Sequence, residues 1–251
     1  MNETPKAGAI AGRNPVLELL RSPREVECIY LQAGLEKGPV GRIIALAKER
    51  GIPVKEAAPE KLQALSGIAS HQGVAAIPAA ESYASLENIY HRAGDKPLFV
   101  VLADGVEDPH NLGAIIRTAE AAGAHGVIIP KRHSAGLTAA AVKSAAGAAA
   151  HLPVVRVPNL ASLMDQLKRE KNLWFYCADM DGQPWCSVDY AGAVGLVVGS
   201  EGAGVSRLVK EKCDFVVSLP MNGKINSLNA SVAAGIILYE VTRQRLGLRA
   251  K

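Results

Sequence analysis

From Leu98 onward the chain repeats one arrangement that leaves few folds open to it. Short segments that are apolar at nearly every position, FVVLAD, GVIIP, VVRV, LWFYCA, AVGLVVG and FVVSLP, alternate with stretches of helical character. A strand with no polar face must be covered on both sides, and strands separated by helices pair in parallel. The alternation predicts a mostly parallel sheet covered by helices. The last of these helices is LNASVAAGIILYEVTRQRL, which Ser227 is placed to cap and whose final turns carry cations suited to a helix C-terminus.

The first part of the chain has a different rhythm. AIAGRNPVLELLRS predicts a short helix on Val16, Leu17, Leu19 and Leu20, ECIYLQAG a strand, and VGRIIALAKERG a helix closed by Gly51. IPVKEA then predicts a strand, KLQALSG a short helix and HQGVAAIPA a final strand. Together they make a compact α/β unit near the smallest size that folds alone. Residues 81–97, ESYASLENIYHRAGDKP, have weak periodicity and end in turn residues, so a linker is expected there between domains 1–80 and 98–251. The Ala-rich stretch from Ala135 to Ala150 reads as one closely packed helix of small side chains.

Composition removes several classes. A formal charge of +4 is compatible with a polyanionic partner without demanding one. Cys28, Cys177, Cys186 and Cys213 form no C-x-x-C pair, which excludes a zinc ribbon and a thioredoxin-type motif. The thiols are expected to be reduced and mostly buried, and no metal is expected. The opening MNETPKAGAIAG has no apolar core of a signal peptide, and no run approaches the roughly 18 apolar residues of a membrane span. A cytoplasmic protein is the expectation.

Three loops hold the residues capable of chemistry. In ADGVEDPHNLGAIIRTAEAAGA a strand runs through a loop to Asn111, where a helix is expected to begin near Leu112. Asn111 suits an N-cap, and Arg117 lies on the helix side shared with Ala114 and Ala121, where small neighbours leave room for a ligand. In GLVVGSEGAGVSRLVKEKC an apolar strand enters a glycine-rich loop before a helix. The dinucleotide fingerprint fails there, because Arg207 occupies the place of its third glycine and no acidic residue follows at a spacing of roughly twenty. A nicotinamide oxidoreductase is thereby disfavoured. Glu201 in this loop would repel phosphate and attract a cation or a hydrogen-bond donor, such as a sulfonium or an adenine amino group. In SLPMNGKINSLNASVAAG, Ser227 and Asn229 are polar groups at the entrance of the final helix, and capping alone would explain them.

Taken in order, Asn111 and Arg117, the Gly-Ser-Glu-Gly loop of residues 199 to 202, and Ser227-Leu228-Asn229 resemble the three motifs of the SPOUT methyltransferases. The resemblance is narrower to the TrmH (SpoU) branch, the RNA ribose 2'-O-methyltransferases, and spans residues 98 to 246. GRNPVLELL and HQGVAA also resemble the substrate-binding domain of the bacterial 23S ribosomal RNA guanosine 2'-O-methyltransferases, a small α/β unit related to RNA-binding ribosomal proteins.

The resemblance implies an open α/β sheet whose C-terminal segment is tucked through a loop as a deep trefoil knot, in a homodimer. Periodicity carries no sign of a knot, and general topology rules argue against one. It implies S-adenosylmethionine as cofactor, held among the three loops by backbone groups around Gly199, Leu219 and Leu228, with Met221 as a neighbour. The implied reaction is attack of a ribose 2'-hydroxyl on the sulfonium methyl, which requires alignment and stabilisation of a developing alkoxide. Arg117 is the implied activating group. A guanidinium keeps its proton at neutral pH, so a fixed positive charge beside the hydroxyl is physically easier than proton removal. Asn111 and Glu201 would orient Arg117 or the ribose, and Ser227 and Asn229 would hold the loop or the substrate. In the first domain, Arg13, Asn14, His71 and Gln72 are the candidate RNA contacts. The expected target is a guanosine of 23S ribosomal RNA. A ribose of transfer RNA is the alternative within the class, and a non-catalytic RNA-binding assembly factor the alternative outside it.

Overall fold

The computed structural model describes residues 9–22, 24–35, 38–80 and 82–248. The chain divides into two compact units, one reaching to Ser82 and taking in Gly136–Ala139, the other running from Tyr83 to Ala135 and from Ala140 onward.

In the first unit β1 (Ile10–Ala11), β2 (Val26–Leu31), β3 (Val54–Glu56) and β4 (Val74–Pro78) form one sheet in the order β1-β4-β2-β3. Only the β2–β3 pair is parallel. Helix α1 (Arg13–Arg21) buries Val16, Leu17, Leu19 and Leu20, and α2 (Pro39–Glu49) buries Val40, Ile43 and Ala47 in the same core as Val26, Ile29 and Leu31 of β2. The third helix, α3 (Pro59–Ser66), lays Leu62 against Ala57 and Ala75. These are the elements expected from the periodicity, with β1 added at the start.

The second unit contains α4 (Leu86–Ala93), β5 (Phe99–Ala103), α5 (Pro109–Ala121), β6 (Gly126–Pro130), α6 (Ala139–Ser144), β7 (Val154–Val157) and α7 (Leu160–Lys171). It continues with β8 (Trp174–Pro184), β9 (Val194–Val198), α8 (Arg207–Lys210), β10 (Phe215–Ser218) and α9 (Ala230–Arg245). The sheet order is β10-β8-β9-β5-β6-β7 and every neighbouring pair is parallel. All residues of β5 and β9 are buried, as strands covered on both faces must be. The chain steps outward from β5 to β6 and β7, then returns to the other side of β5 through β8 and β9. The strand order therefore reverses between β5 and β9, where open parallel sheets hold their ligands at the carboxyl ends of the strands.

Several expectations need correction. Residues 81–97 are not a linker throughout. They contain α4, closed at its start by a capping box between Ser85 and Asn88, with Ile89 and Ala93 in the core beside Leu98 and Val100. Eight residues were too few for the periodicity to stand out. The Ala-rich stretch is not one helix: α6 is followed by Ala146 and Gly147 at φ 49° and 92° and then by a 3-10 turn over Ala148–Ala150. Its small residues serve close approach instead. A Cβ on Gly113 of α5 would lie 2.4 Å from the Ala141 carbonyl oxygen and 2.5 Å from the Ser144 Cβ. Of the four thiols only Cys177 is buried, while Cys28 and Cys213 are half-buried and Cys186 is exposed.

Strand β8 is longer than LWFYCA suggested, and its pairing with β10 slips. Val216 pairs with Cys177, while the next residue, Val217, pairs with Gln183. Residues 178–182 are thus pushed out of the ladder, a bulge that re-aims their side chains.

Candidate functional site

The carboxyl ends of β8, β9 and β10 converge on a cavity of about 650 Å³, within the size range of cofactor sites. The bulge of β8 contributes Ala178, Asp179 and Met180, and the loop after β9 contributes Gly199 to Gly204. Leu219 and Met221 follow β10, Asn226 to Asn229 lead into α9, and Ala233 and Ile237 close the wall from that helix.

The loop after β9 folds back on itself: Ser200 and Gly204 exchange backbone N–H to carbonyl bonds, each of 3.0 Å. The return strand passes so close that a Cβ on Gly199 would stand 2.0 Å from the Gly204 carbonyl carbon. Only glycine fits. The loop is tied to the end of β5 where Ser206 N–H donates to Asp104 Oδ2 at 2.7 Å.

Asn111 is not the N-cap of α5. Asp108 is, accepting from His110 N–H at 3.0 Å, and Asn111 lies in the first turn with its side chain directed inward, 8% exposed. Its Nδ2 donates to Glu201 Oε1 at 3.0 Å, and its Oδ1 accepts from Asn229 Nδ2 at 2.9 Å. Asn229 Nδ2 also reaches Glu201 Oε1. The cap of α9 is Asn229 rather than Ser227: its Oδ1 accepts from the N–H groups of Ser231 and Val232 at 3.0 and 3.3 Å and from Ser231 Oγ at 2.6 Å. Ser227 falls two residues short of the cap and lines the cavity.

The expected cofactor residues Gly199, Leu219, Met221 and Leu228 all line the cavity, as do Glu201, Ser227 and Asn229, while Asn111 is bonded to its rim. Arg117 stands apart. It is exposed on α5, does not line the cavity, and has no hydrogen-bond or ion-pair partner among the described residues. The β8 contribution was not foreseen. Its only signal in the sequence was position, at the carboxyl end of a parallel strand beside the glycine-rich loop.

Two carboxylates, Glu201 and Asp179, and no cationic side chain line the cavity. Burial would raise the Asp179 carboxyl, but the Lys210 ammonium 2.7 Å away and the backbone donors of Asp181 and Met180 outweigh it. The group is held below the usual carboxylate range. Apolar walls from Leu219, Leu228 and Ile237, a glycine-lined backbone cradle and an anionic rim fit an adenosyl sulfonium and disfavour a phosphate-bearing ligand.

In the first unit Arg13 and Gln72 are joined: Arg13 N–H donates to Gln72 Oε1 at 2.9 Å and its Nε–H to the Gln72 carbonyl at 3.2 Å. Asn14 and Gln72 are exposed. His71 is buried, and its Nδ1 is occupied by the Gly73 N–H at 3.1 Å.

A parallel α/β sheet with a glycine-cradled, anionic cavity at the carboxyl ends of β8, β9 and β10, and beside it an Asn–Glu–Asn cluster in which Asn111 is buried, defines a methyltransferase of the SPOUT class. Residues 98–239 match the SpoU rRNA methylase family, and residues 9–84 match the RNA 2'-O ribose methyltransferase substrate-binding domain. A TrmH family tRNA/rRNA methyltransferase of Bacillus subtilis, YacO, is 46% identical over 241 residues, covering 94% of this chain and 95% of the relative. The solved S-adenosylmethionine-bound rRNA methyltransferase of Sinorhizobium meliloti superposes with a TM-score of 0.59 at 25% identity, covering 98% of this chain and 89% of that one. A TrmH/SpoU tRNA-modifying enzyme of A. aeolicus superposes with a TM-score of 0.54 at 30% identity, covering 64% of this chain and 83% of its own. The chain belongs to the TrmH (SpoU) family of RNA ribose 2'-O-methyltransferases, and its cofactor is S-adenosylmethionine.

Proposed function

We propose that the protein methylates the 2'-hydroxyl of a guanosine in 23S ribosomal RNA. The observation that carries the ribosomal target is the substrate-binding unit. The solved ribosomal RNA enzyme matches 98% of this chain and so includes that unit, whereas the tRNA-modifying enzyme matches only 64%. Arg13, Asn14 and Gln72 are its proposed RNA contacts, with His71 holding the turn that presents Gln72.

When bound, S-adenosylmethionine supplies an electrophilic methyl on a sulfonium. Gly199, Leu219 and Leu228 would hold it, with Met221 beside them. Glu201 would offer the sulfonium a carboxylate, one that Asn111 and Asn229 keep oriented. Arg117 is a free cation outside the cavity, able to meet the ribose of an incoming strand. Its role there is to stabilise the alkoxide that develops at O2' as the hydroxyl gives its proton to water, a charge effect that needs no deprotonated guanidinium. Ser227, which lines the cavity at the entrance to α9, would hold the loop or the substrate.

Further parts of this reading are a homodimer, a knotted C-terminal segment and a cytoplasmic setting. For the dimer, Val232, Ile236 and Tyr239 are exposed on one stripe of α9, an apolar face that a second copy would cover. For the setting, four cysteines that form no disulfide suit a reducing compartment. The test is tritium transfer from labelled S-adenosylmethionine to purified 23S ribosomal RNA and to transfer RNA, followed by mapping of the modified nucleotide. Label confined to transfer RNA, or to a nucleotide other than guanosine, would overturn the target.

A further inference from the structure

The cavity holds two carboxylates and no cation, yet the segment beside it is bordered by cations that the reading above does not use. Strand β6 stops at Pro130 and is followed by Lys131, Arg132 and His133, at the carboxyl edge of the sheet and next to β5. Arg132 and His133 are exposed, Lys131 is half-buried, and none has an ion-pair partner among the described residues. Lys143, on α6, is likewise exposed and unpaired.

Both pieces are docked on the segment that delivers Asn111. Ala135 N–H donates to the Val106 carbonyl at 2.7 Å, and Ser134 Oγ–H reaches the same oxygen at 3.5 Å. Further along, Ser144 Oγ–H donates to the His110 carbonyl at 2.9 Å, and Gly113 lets α6 lie directly on the first turns of α5. His133 stands at φ 54°, a left-handed conformation uncommon for residues other than glycine. The nearest carboxylates along that segment, Glu107 and Asp108, leave these cations alone, and Asp108 is engaged by the His110 N–H.

We propose that Lys131, Arg132 and His133, with Lys143 on α6, form a phosphate-binding subsite for the RNA strand that carries the target ribose. A ribose that presents its 2'-hydroxyl beside Asn111 and Arg117 brings the phosphodiesters on either side of it to the same edge of the sheet. Cations there fix the register of the strand, while the carboxylate-lined cavity keeps phosphates out of the cofactor site. The inference rests on the RNA methyltransferase reading and adds the surface that positions its substrate.

The experiment is fluorescence anisotropy with a labelled mixed-sequence single-stranded RNA on the full chain, repeated over a salt series. Arg132→Ala is expected to weaken binding about fivefold near 100 mM salt and to flatten the plot of log affinity against log salt by about 0.7 for the contact removed. Arg132→Lys should restore most of both. Arg169→Ala, exposed at the end of α7 where the chain returns to the opposite edge of the sheet, removes the same charge and is expected to change neither. Unaltered S-adenosylmethionine affinity by calorimetry shows that each variant is folded. An Arg132→Ala protein with wild-type affinity and salt slope, or an Arg169→Ala protein impaired to the same degree, overturns the subsite. Methyl transfer by the wild-type protein is measured alongside: absence of transfer with intact RNA binding would count against the enzyme reading and leave the subsite result standing.

Discussion

The side-chain amide of Asn229 donates to the side-chain carbonyl of Asn111 at 2.9 Å, across 118 residues of sequence. One bond joins the cap of α9 to the first turn of α5, and Glu201 accepts from both amides. Three loops separated along the chain are held in one frame by a carboxylate and two carboxamides.

The two ends of Asn229 can be separated by substitution. Asn229→Asp keeps an oxygen to cap α9 but loses both Nδ2 bonds and sets a second carboxylate against Glu201. It is expected to lower methyl transfer at least tenfold with little change in melting temperature. Asn229→Ala loses the cap as well, and about 1 kcal/mol of stability should go with it. Equal melting temperatures for Asn229→Ala and the wild type would refute the capping role.

Arg117→Ala is expected to abolish methyl transfer while S-adenosylmethionine affinity stays within twofold of wild type. An exposed side chain without partners contributes little to folding, so the change in stability should stay within about 0.5 kcal/mol. Calorimetric titration with cofactor and a single-turnover assay on RNA check the two halves, and wild-type turnover would remove Arg117 from the mechanism.

At Gly199 a methyl group has nowhere to go, because the atoms it would meet belong to the Gly204–Val205 backbone. Gly199→Ala should displace the loop, weaken cofactor binding more than tenfold and cost about 1–3 kcal/mol. Retained cofactor affinity in Gly199→Ala would show that the loop can relax without harm.

His125 makes the second unit sensitive to acid. Its Nδ1 accepts the Phe99 N–H at 3.0 Å, and burial first, then the nearby cations Arg245, Arg92 and Lys96, push its pKa down to about 4. The folded state binds this proton less readily than the unfolded chain. The contribution is therefore complete above about pH 6.5 and is lost as pH falls from there toward 4, by about 3 kcal/mol in all. Denaturant melts between pH 7.5 and 4.5 should show the loss, and His125→Asn, which keeps an acceptor but cannot titrate, should flatten it. A parallel decline in both proteins would exclude His125 as the cause.

The strands and most helices were legible in the sequence because burial on both faces of a parallel sheet, or on one stripe of a helix, leaves a local periodic trace. The identities of Asn111, Glu201 and Asn229 and their order along the chain were legible too, since chemistry restricts residue type as strongly as packing does. What only the tertiary structure decided are facts about distant neighbours. Helix α4 is anchored by Ile89 and Ala93 in a core built largely from later strands. The bulge that brings Asp179 into the cavity arises from the pairing of Cys177 and Gln183 with consecutive residues of β10. The small residues of the Ala-rich stretch answer to Gly113 on another helix. Asn229, and not the expected Ser227, caps α9, because the helix begins at Ala230, and the same side chain is shared with Asn111 and Glu201. Period and residue type are written locally along a chain, whereas register, close approach and shared hydrogen bonds depend on which distant segments meet.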